Sequence, residues 1–148
     1  MAFVLGLDAV MGYDVLGASN DTWVDLDNCK DVAISLSRAS DDVSTRGGAG
    51  FRQQVATLRE GEITFQMVYD TADAGFIAFS DAFFNTADQV IGIFCADGAL
   101  ATIGTTGLKA DFMVSDFSIS EALEEAMKVD VTCMITYSAF TPVWFTVV

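Results

Sequence analysis

The chain has no histidine, a single proline and only seven basic residues in 148. Each shortage excludes something. Without histidine no side chain has an ordinary pKa near neutrality, so nucleophile–base pairs of the hydrolase kind lack their usual base. The three cysteines, Cys29, Cys95 and Cys133, are far apart with no C-x-x-C, which suggests neither a zinc cage nor a disulfide framework. Cys95 and Cys133 fall in apolar strand patterns and read as small core residues; Cys29 lies in a polar segment and stays open. No stretch approaches the ~20 apolar residues of a membrane span. The first residues, "MAFVLGLDAVMGYD", lack a basic n-region and place Asp8 inside their apolar run. They make a poor signal peptide, so a chain made and kept in a cytoplasm is expected, with no membrane partner.

The seven bases face 21 acids, for a net charge of −14. A folded monomer of this size should expose roughly 7,300 Å², about one net negative charge per ~500 Å². Such a surface repels nucleic acid, whose affinity for proteins rests on neutralised phosphates.

What the chain has in plenty is period-2 alternation. In "EITFQMVY" Ile63, Phe65, Met67 and Tyr69 face one way and Glu62, Thr64 and Gln66 the other. "MKVDVTCMITY" sets Met127, Val129, Val131, Cys133, Ile135 and Tyr137 against Lys128, Asp130, Thr132 and Thr136. "DVAISLSR" sets Val32, Ile34 and Leu36 against Ala33, Ser35 and Ser37. These read as antiparallel strands with one wet face. "QVIGIFCA" is apolar on both faces and should be buried more completely. In "KADFMVSDFSIS" the apolar parity shifts between Val114 and Phe117, which predicts a bulge at Ser115–Asp116. "FRQQVATL" alternates weakly, as an edge or a hairpin arm does.

One segment breaks the period. "DAGFIAFSDAFFN" places Phe76, Phe79 and Phe83 at helical spacing, with Ile77 and Phe84 widening the stripe. Asp73 is its expected N-cap and Asn85 its stop. The expected fold is therefore α+β, mainly β: an antiparallel β-sandwich or barrel with one flanking α-helix. It should be one domain over 1–148, with a long hairpin loop at about 38–52 and an apolar tail at about 138–148. That tail, which holds Pro142, should pack on its own sheet or on a neighbour.

Catalytic and ligand motifs fail on specifics. "RGGAGFRQQ" lacks the Lys-Ser/Thr of a phosphate-binding loop and leads into a strand, not a helix. "DTADAG" lacks the spacing and final glutamate of a calcium loop. Glu121, Glu124 and Glu125 offer paired carboxylates, but a short solvated turn of helix between two strands explains them better. No cofactor, metal or catalytic residue is indicated.

The order of segments is more specific than any one of them. "MAFVLGLDAVMGYDV", "DNCKDVAISLSRASDDVSTRGGAGFRQQVATLREGEITFQMVYD" and "VSDFSISEALEEAMKVDVTCMITYSAFTPVWFTV" together resemble the major tail, or tail tube, proteins of long-tailed phages. Shared features are the Lys-Asp-Val strand opening, the Val-x-Thr-Arg-Gly loop, an Ala-Thr-Leu to Thr-Phe hairpin, the helix at "DAGF" and the "EALEEAMKVDVT" turn. The resemblance does not extend to "ADGALATIGTTG". It implies a self-assembling virion protein, made in the bacterial host, that forms hexameric rings. Its stacked rings would form a tube through which DNA leaves without specific binding, and other tail proteins would sit at the tube ends. It also implies that the loop holding Asp41, Asp42, Arg46, Gly47, Gly48, Gly50, Phe51 and Arg52 bridges subunits or rings. The glycines would supply flexibility, the arginines carboxylate-directed anchors, and Phe51 an apolar anchor at the loop's base. Glu62 and Asp130 are the expected lumen acids. Two rivals stay open: a monomeric acidic β-sandwich that binds a peptide or carbohydrate, and a small enzyme using the carboxylates of 121–125.

Overall fold

A computed structural model describes residues 3, 5–85 and 90–148. Its strands are β1 (Val10–Asp14), β2 (Val24–Asp25), β3 (Cys29–Asp42), β4 (Gln54–Val68), β5 (Ile91–Ala96), β6 (Thr106–Ser120), β7 (Lys128–Ile135) and β8 (Val143–Thr146). A helix, α1 (Ala74–Phe84), lies between β4 and β5. The strands form one antiparallel sheet in the order β2-β1-β5-β6-β7-β4-β3, with β8 paired to the start of β6. Among the described residues neither β2 nor β3 has an outer neighbour, so the sheet described is open at both margins. It curls nonetheless. Phe79 of α1 meets both Tyr13 on β1 and Phe65 on β4, at ring distances of 6.0 and 5.0 Å, although three strands separate β1 from β4.

Alternation explains the core. Ile63, Phe65 and Met67 of β4 and Val129, Val131 and Cys133 of β7 are buried, and register makes them neighbours. Burying each such side chain contributes about 1.5–3 kcal/mol. The bulge in β6 falls between Val114 and Asp116, so that Val114 and Phe117 both turn inward. All of β5 is buried on both faces. Its second face is covered by Trp23 and Phe145, whose rings lie 5.7 and 6.0 Å from Phe94. Gln89 of the predicted "QVIGIFCA" segment lies outside the described residues.

Helix α1 is capped as its sequence predicts: the Asp73 carboxylate accepts from the Phe76 N–H at 3.0 Å. The buried stripe is narrower than expected. Phe76, Phe79 and Ala82 face the core, whereas Ile77, Phe83 and Phe84 are exposed because the sheet covers only one side of the helix.

Three local expectations need correction. Residues 56–65 do not form a hairpin; they lie within the single 15-residue strand β4. The real hairpin pairs β3 with β4, and its pairing continues through Arg38↔Arg59 to Asp42↔Gln54, so the loop expected at about 38–52 shrinks to a tip at 43–53. Residues 121–127 form a turn rather than a helical segment, closed by the Glu125 N–H on the Ala122 carbonyl at 3.3 Å. Ser120 and Lys128 are already paired on either side, so too few residues remain to offset helix nucleation. The C-terminal tail contributes β8, with Thr106↔Thr146 through Lys109↔Val143 in register.

Candidate functional site

The β3–β4 hairpin projects beyond the core. Every residue of β3 after Cys29 is exposed, as is β4 from Gln54 to Glu60. Val32, Ile34 and Leu36, expected to be half-buried, have lost their cover because β3 is a sheet margin. At the tip, Asp41 and Asp42 end β3 opposite Val55 and Gln54. The Asp42 carboxylate accepts from the Ser44 N–H at 2.8 Å, and its hydrogen bonds to Ser44 hold it below the usual carboxylate range. The Ser44 hydroxyl accepts from the Gln53 N–H at 2.8 Å, which ties the two sides of the tip together. Arg46, Gly47 and Gly48 form one 3-10 turn, and the chain then reverses through Ala49 and Gly50 at φ of 53° and 83°. Glycine is needed at position 50 because that backbone is strained for any L side chain. Phe51 does not anchor the loop on its own sheet; its side chain is 75% exposed.

Register adds residues that the sequence had not singled out. All four arginines of the chain, Arg38, Arg46, Arg52 and Arg59, lie on this arm. Residues 38–59 carry net charge +2 on a chain of −14. Arg38 and Arg59 stand directly opposite each other. Among the described residues none of the four forms an ion pair or side-chain hydrogen bond; the two ion pairs present belong to Lys109 and Lys128. The confinement of arginine to 22 consecutive positions is visible in the sequence, but the Arg38–Arg59 pairing requires the register.

Glu62 and Asp130 share the wet face of β4 and β7. Gln66 pairs with Asp130 and donates to its carboxylate at 3.0 Å, while Glu62 lies four residues along the same strand and is half-buried. Thr64, Thr132, Ser118 and Asp116 extend this polar face across three strands.

Other polar groups serve structure. Asp14 accepts from the N–H groups of Leu16 and Thr22 and from Asn20, and Asp111 accepts from the Ala18 N–H at 2.6 Å; together they fix the segment after β1. Asp70 and Asp73 cap the turn and the helix. Glu121 and Glu124 are exposed at the β6–β7 turn. Among the described residues no three His, Cys, Asp or Glu side chains are grouped to hold a metal. Nor is any described helix long and apolar enough to cross a membrane.

No family model matches the chain, and no curated protein matches it in sequence. Solved structures do. The chain is similar to one from the tail of an empty gene transfer agent particle of C6 symmetry, with TM-score 0.68 and 15% identity, covering 96% of this chain and 98% of that one. It is also similar to the SPP1 tail tube, with TM-score 0.74 and 10% identity over 97% of this chain and 80% of that one. A chain of the anti-feeding prophage baseplate matches with TM-score 0.60 and 7% identity over 99% and 98%. At these identities the likeness establishes a shared fold.

Proposed function

We propose that this protein is a structural virion subunit, without catalysis or cofactor, that stacks as hexameric rings into a phage-type tail tube. The observation that carries the reading is the arm: a two-stranded projection bearing all four arginines unpartnered, with exposed apolar side chains on an otherwise acidic molecule. It stands on a fold shared with tail structures, one of them of C6 symmetry. The exposed area, 9609 Å², exceeds by about a third the ~7,300 Å² expected of a compact monomer of this size. The excess suits surface awaiting copies of the same chain.

In this reading the open margins β2 and β3 are covered within a ring, since an exposed edge invites pairing and a closing heterologous contact satisfies every copy. Asp41 to Arg52 reach the adjoining ring, with Arg46 and Arg52 on its carboxylates and Phe51 in an apolar recess. Glu62 and Asp130 face the bore. Their charge repels DNA phosphates from all sides, so the duplex passes without a binding site. Other tail proteins close the tube at its ends.

Electron microscopy of the purified protein tests this directly. Tubes or rings with a central bore and six-fold symmetry are expected. Arg46→Glu, or deletion of residues 44–50, should leave a folded subunit that forms rings but only short stacks. A wild-type protein that stays monomeric at high concentration would overturn the proposal. Long tubes from the deletion variant would remove the arm from it.

A further inference from the structure

Beside the arm lies a groove of about 720 Å³, lined by Leu36, Leu58, Pro142, Trp144, Arg38 and Arg59. It continues the inner face of the sheet past the end of the core: Leu36 pairs with Gly61, two residues before the buried Ile63, and buried Leu108 lines its floor. Leu58 is 82% and Trp144 62% exposed, so large apolar surface faces water here. The two arginines are cross-strand partners, an arrangement that like charge disfavours unless an anion sits between them. Glu60 also lines the groove but accepts from the Ser37 hydroxyl and reaches neither guanidinium within 4 Å.

From this we infer that the groove receives the β6–β7 turn of a second copy, with Leu123 between Leu58 and Trp144 and with Glu121 and Glu124 on Arg38 and Arg59. The inference rests on the self-assembly reading above and names the contact that reading needs. Complementarity singles out this occupant. Leu123 is 100% exposed, and acids flank it in sequence at 121, 124 and 125. Glu125 is held by Lys128 at 3.4 Å, which leaves Glu121 and Glu124 without partners. A leucine flanked by carboxylates complements, in polarity and in charge, a groove with an apolar lining and two unpaired guanidinia. No copy can fill its own groove. Lys128 pairs with Val68, so the turn lies beyond the far end of β4, about 23 Å along the strand from Gly61. The contact is therefore head-to-tail, the kind that closes rings or extends stacks.

The test uses the full chain in four forms: wild type, Leu123→Asp, Arg38→Glu with Arg59→Glu, and that double variant combined with Glu121→Arg and Glu124→Arg. Sedimentation gives the concentration at which each assembles, circular dichroism its fold, and electron microscopy the product. Leu123→Asp and the arginine reversal should each raise that concentration ~10-fold or more, equivalent to about 1.4 kcal/mol. The combined charge exchange should bring it back to within about threefold of wild type. Assembly of the folded first two variants at the wild-type concentration, or failure of the exchange to restore it, overturns the docking contact while wild-type tubes preserve the tube reading. Small groove-dependent oligomers without a bore would keep the contact and discard the tube. A monomeric wild type discards both.

Discussion

A lysine ammonium taken out of water costs several kcal/mol unless something replaces its hydration. The Lys109 side chain is 7% exposed, yet its Nζ has two kinds of compensation. The Asp21 carboxylate lies 2.6 Å away, and the rings of Phe145, Trp23 and Phe140 stand 4.3, 5.6 and 5.6 Å off, a cation–π cage. The Lys109 hydrogen bond holds the Asp21 carboxyl below its usual range. A carboxyl lowered in the folded state adds stability above its unfolded pKa of about 4, and that stability is lost as pH falls through the lower folded value. Asp21→Asn, which suits the left-handed backbone at φ 56°, should cost about 1–2 kcal/mol at pH 7, between the values for surface and buried pairs because Asp21 is 58% exposed. The difference from wild type in denaturant midpoint should shrink below about pH 4. Burial also pushes the Cys95 and Cys133 thiols up to about 12 and raises Cys29. Alkylation of the native protein at pH 8 should give at most one adduct, at half-buried Cys29, while the denatured chain takes three; mass spectrometry counts them.

At the scale of elements, α1 and the arm show opposite logics. The helix is short and depends on its cap and on three inward side chains, Phe76, Phe79 and Ala82. Asp73→Ala should cost about 1 kcal/mol, read as a lower melting temperature with assembly unchanged. The arm is held by its ladder and by the Ser44–Gln53 contacts at the tip, with hardly any burial. Removing its tip should therefore leave the melting temperature nearly unaltered and change only association. The helix and its cap were legible because periodicity and capping are local. The arm's length was not: the shifts in register between Arg38 and Ser40 and between Lys30 and Ala33 decide which residues pair, and no local pattern encodes them.

For the whole molecule, charge is segregated. The arm carries net +2 and the remainder −16. Attraction between the arm of one copy and the body of another acts over a Debye length of about 10 Å at 0.1 M salt and ~3 Å at 1 M. Raising salt from about 0.1 to 1 M should shorten stacks into rings, since backbone pairing at strand margins is far less sensitive to screening. Sedimentation at both ionic strengths distinguishes this from uniform dissociation.

The sequence by itself determined which residues alternate, where the parity breaks at Ser115–Asp116, where the one described helix begins, and that the chain is acidic with its arginines in one place. Those features depend on neighbours a few positions away. Only the tertiary structure decided that β3 is an uncovered margin, that Arg38 meets Arg59, that β6 pairs with three strands, and that Lys109 is buried among aromatic rings. A period of two says which side chains share a face. Whether that face meets core, water or another copy is set by chain segments far away in sequence, and by partners outside the chain altogether.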